Sequence, residues 1–117
     1  MLEQKPEVYR GLNYPWGRTV TPTPTEPQQV AEGVYWARFP MPMSLDHINI
    51  WLLEDEQGWT VVDTCLGISS AKEVWEQLFS GFMAGKPIVR VICTHLHPDH
   101  VGLAGWLTER FNCELWM

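Results

Sequence analysis

Basic residues are scarce in this chain: 8 Lys and Arg stand against 14 Asp and Glu in 117 residues, a formal net charge of −6. The eight are scattered and build no stripe that could track phosphates, which argues against nucleic acid and anionic membranes as partners. Long apolar runs are missing too. No stretch approaches the ~20 residues of a membrane span, and MLEQKPEVYR has no apolar run behind its charges, as a secretory leader would. Cysteine is limited to Cys65, Cys93 and Cys113, odd in number and without paired spacing. That is no disulfide framework and fits a reducing compartment. A cytoplasmic protein is the expectation.

What is present is ordinary for a globular domain. Apolar residues make up 45% and charged residues 19%, and the length allows one modest core. Seven Trp is high for this length; large side chains filling a core or an interface account for them better than a binding device.

Residues 1–30 hold Pro6, Pro15, Pro22, Pro24 and Pro27 and read as an extended N-terminal arm. Organised structure is expected from Gly33, within a domain spanning 31–117. VYWARF, HINIWLLE and WTVVDT are aromatic and β-branched runs split by PMPMSL and by the polar stretch Glu54 to Gly58, and predict antiparallel hairpins. The period then changes. Ser70 and Glu73 form a capping box, and Val74, Trp75, Leu78, Phe79 and Phe82 recur at helical spacing until Gly85. IVRVIC is a continuous apolar run, as in a strand covered on both faces. A second helix is predicted from Asp99, with Leu103, Ala104, Leu107 and Phe111 on one face and Asn112 as its stop; Cys113 to Met117 begins another strand. The order β-β-β-α-β-α-β predicts an α+β or α/β fold, with right-handed crossovers and a mixed sheet carrying two helices on one face.

Chemistry concentrates in THLHPDH, Thr94 to His100, which holds three of the four His together with an Asp. It lies between a buried strand and a helix, where side chains leave the carboxyl edge of the sheet. Imidazole nitrogens and carboxylate oxygens are donors that Zn²⁺ and its neighbours prefer. His95 and His97, two apart on extended chain, can point the same way. Pro98 stiffens the turn, and Asp99 and His100 project from the first turn of the helix. Alone, Asp99 reads as a helix cap and any single His as a surface residue; together the four suit two nearby metal ions.

H-x-H-x-D-H after a strand ending in Thr, with an upstream strand ending V-D-T, resembles the metallo-β-lactamase superfamily signature, here THLHPDH and VVDTCLG. The element order is similar to the first half of that family's αββα sandwich, over about residues 30–117. The resemblance implies that His95 and His97 bind one metal and Asp99 and His100 a second, with Asp99 also the candidate catalytic carboxylate. Asp63 would lie beneath the loop with Thr94, orienting the ligands by hydrogen bonds. Cys65 stands where the family more usually has Gly, with Gly67 displaced. PMPMSL resembles a flap over the pocket, making Met41, Met43 and His47 candidate substrate contacts. The family's further His, bridging Asp and last His are normally downstream.

The resemblance implies two Zn²⁺ per complete site, with Fe or Mn as alternatives, and a metal-activated hydroxide attacking a small-molecule thioester, ester or lactone, as in hydroxyacylglutathione hydrolases. An iron-dependent oxidoreductase of flavodiiron or persulfide dioxygenase type, or a metal-binding fragment without turnover, are the other readings. Half a sandwich leaves one apolar sheet face bare, so a missing C-terminal half or a second copy in a homodimer is the expected partner.

Overall fold

The computed structural model describes residues 22–117 and the backbone of 7–9 and 12–14. Glu7–Tyr9 (β1) and Leu12–Tyr14 (β2) pair antiparallel. The rest of the Pro-rich arm before residue 22 lies outside the described residues. A six-stranded sheet follows, in the spatial order of the sequence: Gln28–Ala31 (β3), Val34–Pro40 (β4), His47–Glu54 (β5), Trp59–Val62 (β6), Ile88–Ile92 (β7) and Glu114–Trp116 (β8). β3 to β6 pair antiparallel, while β7 and β8 add in parallel. This is the predicted mixed sheet. It begins earlier than Gly33, because Gln28–Ala31 pairs with β4 at the edge, where proline ends a strand but does not prevent one.

The β4–β5 hairpin keeps an unbroken register from Val34↔Leu53 to Pro40↔His47, so the alternation in each strand sorts its side chains to two faces. On one face Ala37, Phe39, Ile50, Leu52, Val61 and Val91 are fully buried. Helix α1 (Ser69–Ser80) adds Trp75 and Leu78 to this core, and α3 (Ala104–Phe111) adds Leu107. Trp75 packs on Phe39 with centroids 5.0 Å apart. Phe79 stacks between Trp75 and Trp106 and meets Phe111 edge-on, joining the two helices over the same face. Exposed Glu76 and Arg110 pair across the seam, a contact that adds little in water.

The opposite face carries Trp36, Arg38, Asn49, Trp51, Val62 and Ile92, half-buried. Trp36 stacks on Trp51 and donates its indole N–H to Asn49 Oδ1 at 2.9 Å. Arg90 lies over the Trp116 ring at 4.3 Å. As the sequence suggests, this apolar surface has no helix over it among the described residues.

Three local expectations are corrected. The capping box at Ser70 does not form: α1 starts at Ser69, capped by extended Ile68 without a side-chain hydrogen bond. α1 also ends at Ser80, since residues 81–85 turn, with Ala84 and Gly85 at positive φ, to feed β7. The second helix is two pieces, α2 (Pro98–Val101) and α3, broken at Gly102 and Leu103; Asn112 stops α3 as predicted, and does so in the left-handed conformation.

Candidate metal centre

β6 and β7 run parallel, so their carboxyl ends share one sheet edge, and the His-rich loop leaves from β7 at that edge. His97 caps α2, and Pro98 opens it, a position where its missing N–H costs nothing. The three imidazoles converge: His95 lies 4.5 Å from His100 and 5.8 Å from His97 between ring centroids. Leu96, between the first pair, points away and is 77% exposed. His100 Nε2 is 3.6 Å from Asp99 Oδ2. Two donors bound at the usual zinc distances in a tetrahedral site lie roughly 3.3 Å apart, so this pair is spaced to share an ion.

Beneath the loop, Asp63 is buried and fully used. Its Oδ1 accepts the Thr94 amide at 2.8 Å; its Oδ2 accepts the Thr94 hydroxyl at 2.8 Å and lies 2.9 Å from His100 Nδ1. The single hydroxyl proton of Thr94 is thereby spent on a carboxylate. Thr94 Oγ1 must then accept from His95 Nδ1, 2.9 Å away. With the proton of each ring on Nδ1, Nε2 is the nitrogen left to bind a metal. Asp63 and Thr94 are therefore hydrogen-bonded to each other and to the rings of His100 and His95.

The donors fit a metal in type, and the His100 and Asp99 pair also fits in spacing. No group of three or more His, Cys, Asp or Glu among the described residues is arranged to hold an ion. A pair of donors per ion, as the resemblance implies, does not by itself make such a group.

The strand end that supplies Asp63 is strained. Asp63 and Cys65 adopt φ of 68° and 78°, a region that favours glycine. Cys65 is therefore a side chain in the place where a Gly would relieve the backbone. Its side chain is completely buried. Gly102 keeps helical dihedrals, and the helix departs at Leu103, with φ −107° and ψ 10°. Glycine is required at 102 because a Cβ there would lie 2.6 Å from Gly67 N and 2.7 Å from Cys65 O. Burial pushes the Cys93 thiol up to about 11, with the Asp63 charge adding to the effect. Burial also raises Cys65, the nearby Asp99 charge helping, against a backbone hydrogen bond from Leu66. Both stay thiols at neutral pH and offer no ready nucleophile.

The candidate substrate loop divides. It joins β4 to β5, and because β5 is antiparallel to β6 it lies at the same sheet edge as the His-rich loop. Met41, however, is 5% exposed and packs in the core, so it is not a substrate-facing residue. Met43 is 52% exposed and Leu45, two residues on, is 58% exposed. His47 Nδ1 sits 3.0 Å from Asp46 Oδ1, beside a hollow of about 380 Å³ shared with Arg38 and Pro40. A larger hollow of about 580 Å³ is lined by residues of 23–29 with Tyr35 and Phe82, not by the His-rich loop.

Residues 43–117 match the model of the metallo-beta-lactamase superfamily, and the chain belongs to that superfamily. It is 46% identical to a beta-lactamase domain protein from Burkholderia ambifaria, superposing with a TM-score of 0.80 over 85% of this chain and 34% of that one. A metallo-beta-lactamase family protein from Thermus thermophilus is 29% identical, with a TM-score of 0.62 over 69% of this chain and 27% of that one. Over 74 residues, 63% of this chain, it is 32% identical to a linear primary-alkylsulfatase from a Pseudomonas species, of which it spans 10%. The chain thus covers about a third of the Burkholderia structure and a tenth of the sulfatase. No helix among the described residues is long and apolar enough to cross a membrane.

Proposed function

We propose that this chain carries the metal loop of a metal-dependent hydrolase acting on small thioesters, carboxylic esters or lactones. His95 and His97 hold one ion, and Asp99 and His100 hold a second. The observation that carries this reading is the convergence of three imidazoles and a carboxylate at one sheet edge, with Nδ1 of His100 held by Asp63 and Nδ1 of His95 held by Thr94. When bound, zinc ions supply Lewis-acid polarisation and a water that ionises near neutral pH. Asp63 keeps His100 in its ligand tautomer, and Asp99 brings a negative charge that offsets the cations. Turnover by this chain alone is weak or nil, because the further ligands that the resemblance implies come from elsewhere.

The sulfatase likeness favours a second substrate class, sulfate esters. The sheet face with Trp36, Trp51 and Ile92 packs in this reading against the rest of a longer domain or a second copy. Light scattering of the isolated chain at the monomer mass, with no dye binding to exposed apolar surface, would contradict that packing.

The decisive assay offers a thioester, a carboxylic ester, a lactone and an alkyl sulfate to the zinc-loaded protein, extended by its natural continuation if one exists. Hydrolysis of at least one, abolished by a chelator and restored by zinc, is the expected result. Uptake of iron with visible absorbance, oxygen consumption and no hydrolysis would replace the reading with redox chemistry.

A further inference from the structure

Thr64, next to Asp63, is completely buried, yet every polar group it has is engaged. Its hydroxyl donates to the His100 carbonyl at 2.7 Å and accepts the Leu103 amide at 3.0 Å. Its own amide donates to the same His100 carbonyl at 2.9 Å. Its carbonyl accepts the indole N–H of Trp75, 3.0 Å away and itself fully buried in α1. One side chain from the end of β6 thus ties down both the last turn of α2 and the entry to α3. Ordinary core packing would not need this: a valine has the same shape and would fill the space. Valine would leave the Leu103 amide without its acceptor.

We propose that Thr64, braced by Trp75, is a positioning residue for His100. Asp63 holds the His100 ring through Nδ1, and Thr64 holds the His100 backbone through its carbonyl. Two fixed points on one residue set the direction of the imidazole, and so of the Nε2 atom that lies toward Asp99. The left-handed φ of Asp63 serves this arrangement, because the turn it makes lets two consecutive residues grip the same histidine. Trp75 transmits the packing of α1 to the loop. The importance of this grip rests on His100 being a ligand, but the grip itself belongs to the metal-free protein.

The test compares Thr64→Val, Thr64→Ser and Trp75→Phe in the full chain, with near-UV circular dichroism to confirm folding. In metal-free protein labelled with ¹⁵N-histidine, the His100 Nδ1 proton reports the bond to Asp63; Co²⁺ titration followed by absorbance then reports affinity. Thr64→Val is expected to broaden or shift that proton and to weaken Co²⁺ binding about tenfold. Thr64→Ser keeps the hydroxyl and stays within about twofold of the parent, while Trp75→Phe falls between, at about threefold. Should the valine variant not fold, Trp75→Phe carries the same readouts. An unchanged His100 signal in the valine variant overturns the proposal, as does a serine variant that loses as much as valine. A parent that binds no Co²⁺ contradicts the ligand reading alone, and the ring signal then decides on Thr64.

Discussion

Two loops at the same sheet edge are built in opposite ways. The stretch from Thr94 to Leu103 is fastened to the end of β6 by Asp63 and Thr64, through the Thr94 amide and hydroxyl, the His100 ring and carbonyl, and the Leu103 amide. The stretch from Met41 to Asp46 is closed by one backbone bond, Met41 N–H to Asp46 carbonyl at 2.8 Å, and anchored by the Met41 side chain. Its tip leaves Met43 and Leu45 in solvent. Ligands that must meet a metal at fixed distances need the first construction. A surface that adapts to a substrate is served by the second, and methionine is well suited to it.

Breaking the anchors should have the largest effects. Met41→Ala removes a buried side chain and is expected to cost about 3 kcal/mol in chemical denaturation, whereas Met43→Ser should change stability by less than about 0.5 kcal/mol. A Met41 variant as stable as the parent would place that residue back on the loop surface. Gly102→Ala forces a Cβ against the backbone of Gly67 and Cys65 and should cost about 2 kcal/mol, seen as a lowered Tm. Its metal affinity should fall as well, since the same contact seats the His-rich loop.

Removing a charge without changing shape sharpens the comparison. Asp63→Asn is expected to weaken Co²⁺ binding by about tenfold or more, because the amide cannot accept from both Thr94 and His100 as the carboxylate does. Asp46→Asn, in the looser loop, should leave Co²⁺ binding unaltered. The smallest effect concerns pH. The Cys93 thiol is raised in the folded chain, so its contribution to stability is full below about 9 and is lost as pH rises through about 11. Cys93→Ala should flatten that alkaline slope in denaturation measured between those limits; an unchanged slope would show that another group sets it.

The sequence made the fixed loop legible because its candidate ligands are neighbours in the chain: THLHPDH declares donor types and spacing within seven residues. The strand alternation of HINIWLLE and the helix stop at Asn112 are equally local, and both appear as read. What stayed hidden depends on partners far apart in sequence. Thr64 meets His100 across 36 residues, and nothing in VVDTCLG distinguishes a clamping hydroxyl from a strand-end threonine. The need for glycine at 102 is invisible until Gly67 and Cys65 lie against it. Met41 and Met43 are alike in pattern, and only the hairpin register sends one into the core. The capping box at Ser70 failed for a related reason: the path from the Cys65 turn delivers Ile68, not Ser70, to the helix start.

The central claim is that the imidazoles of the His-rich loop, and not the remaining His, form the cation site. Co²⁺ titration of the parent beside His95→Ala, His100→Ala and His47→Ala tests it most directly. The account predicts ligand-field absorbance in the parent and in His47→Ala and its loss in both loop variants. Equal binding by all four proteins, or a loss confined to His47→Ala, would contradict it.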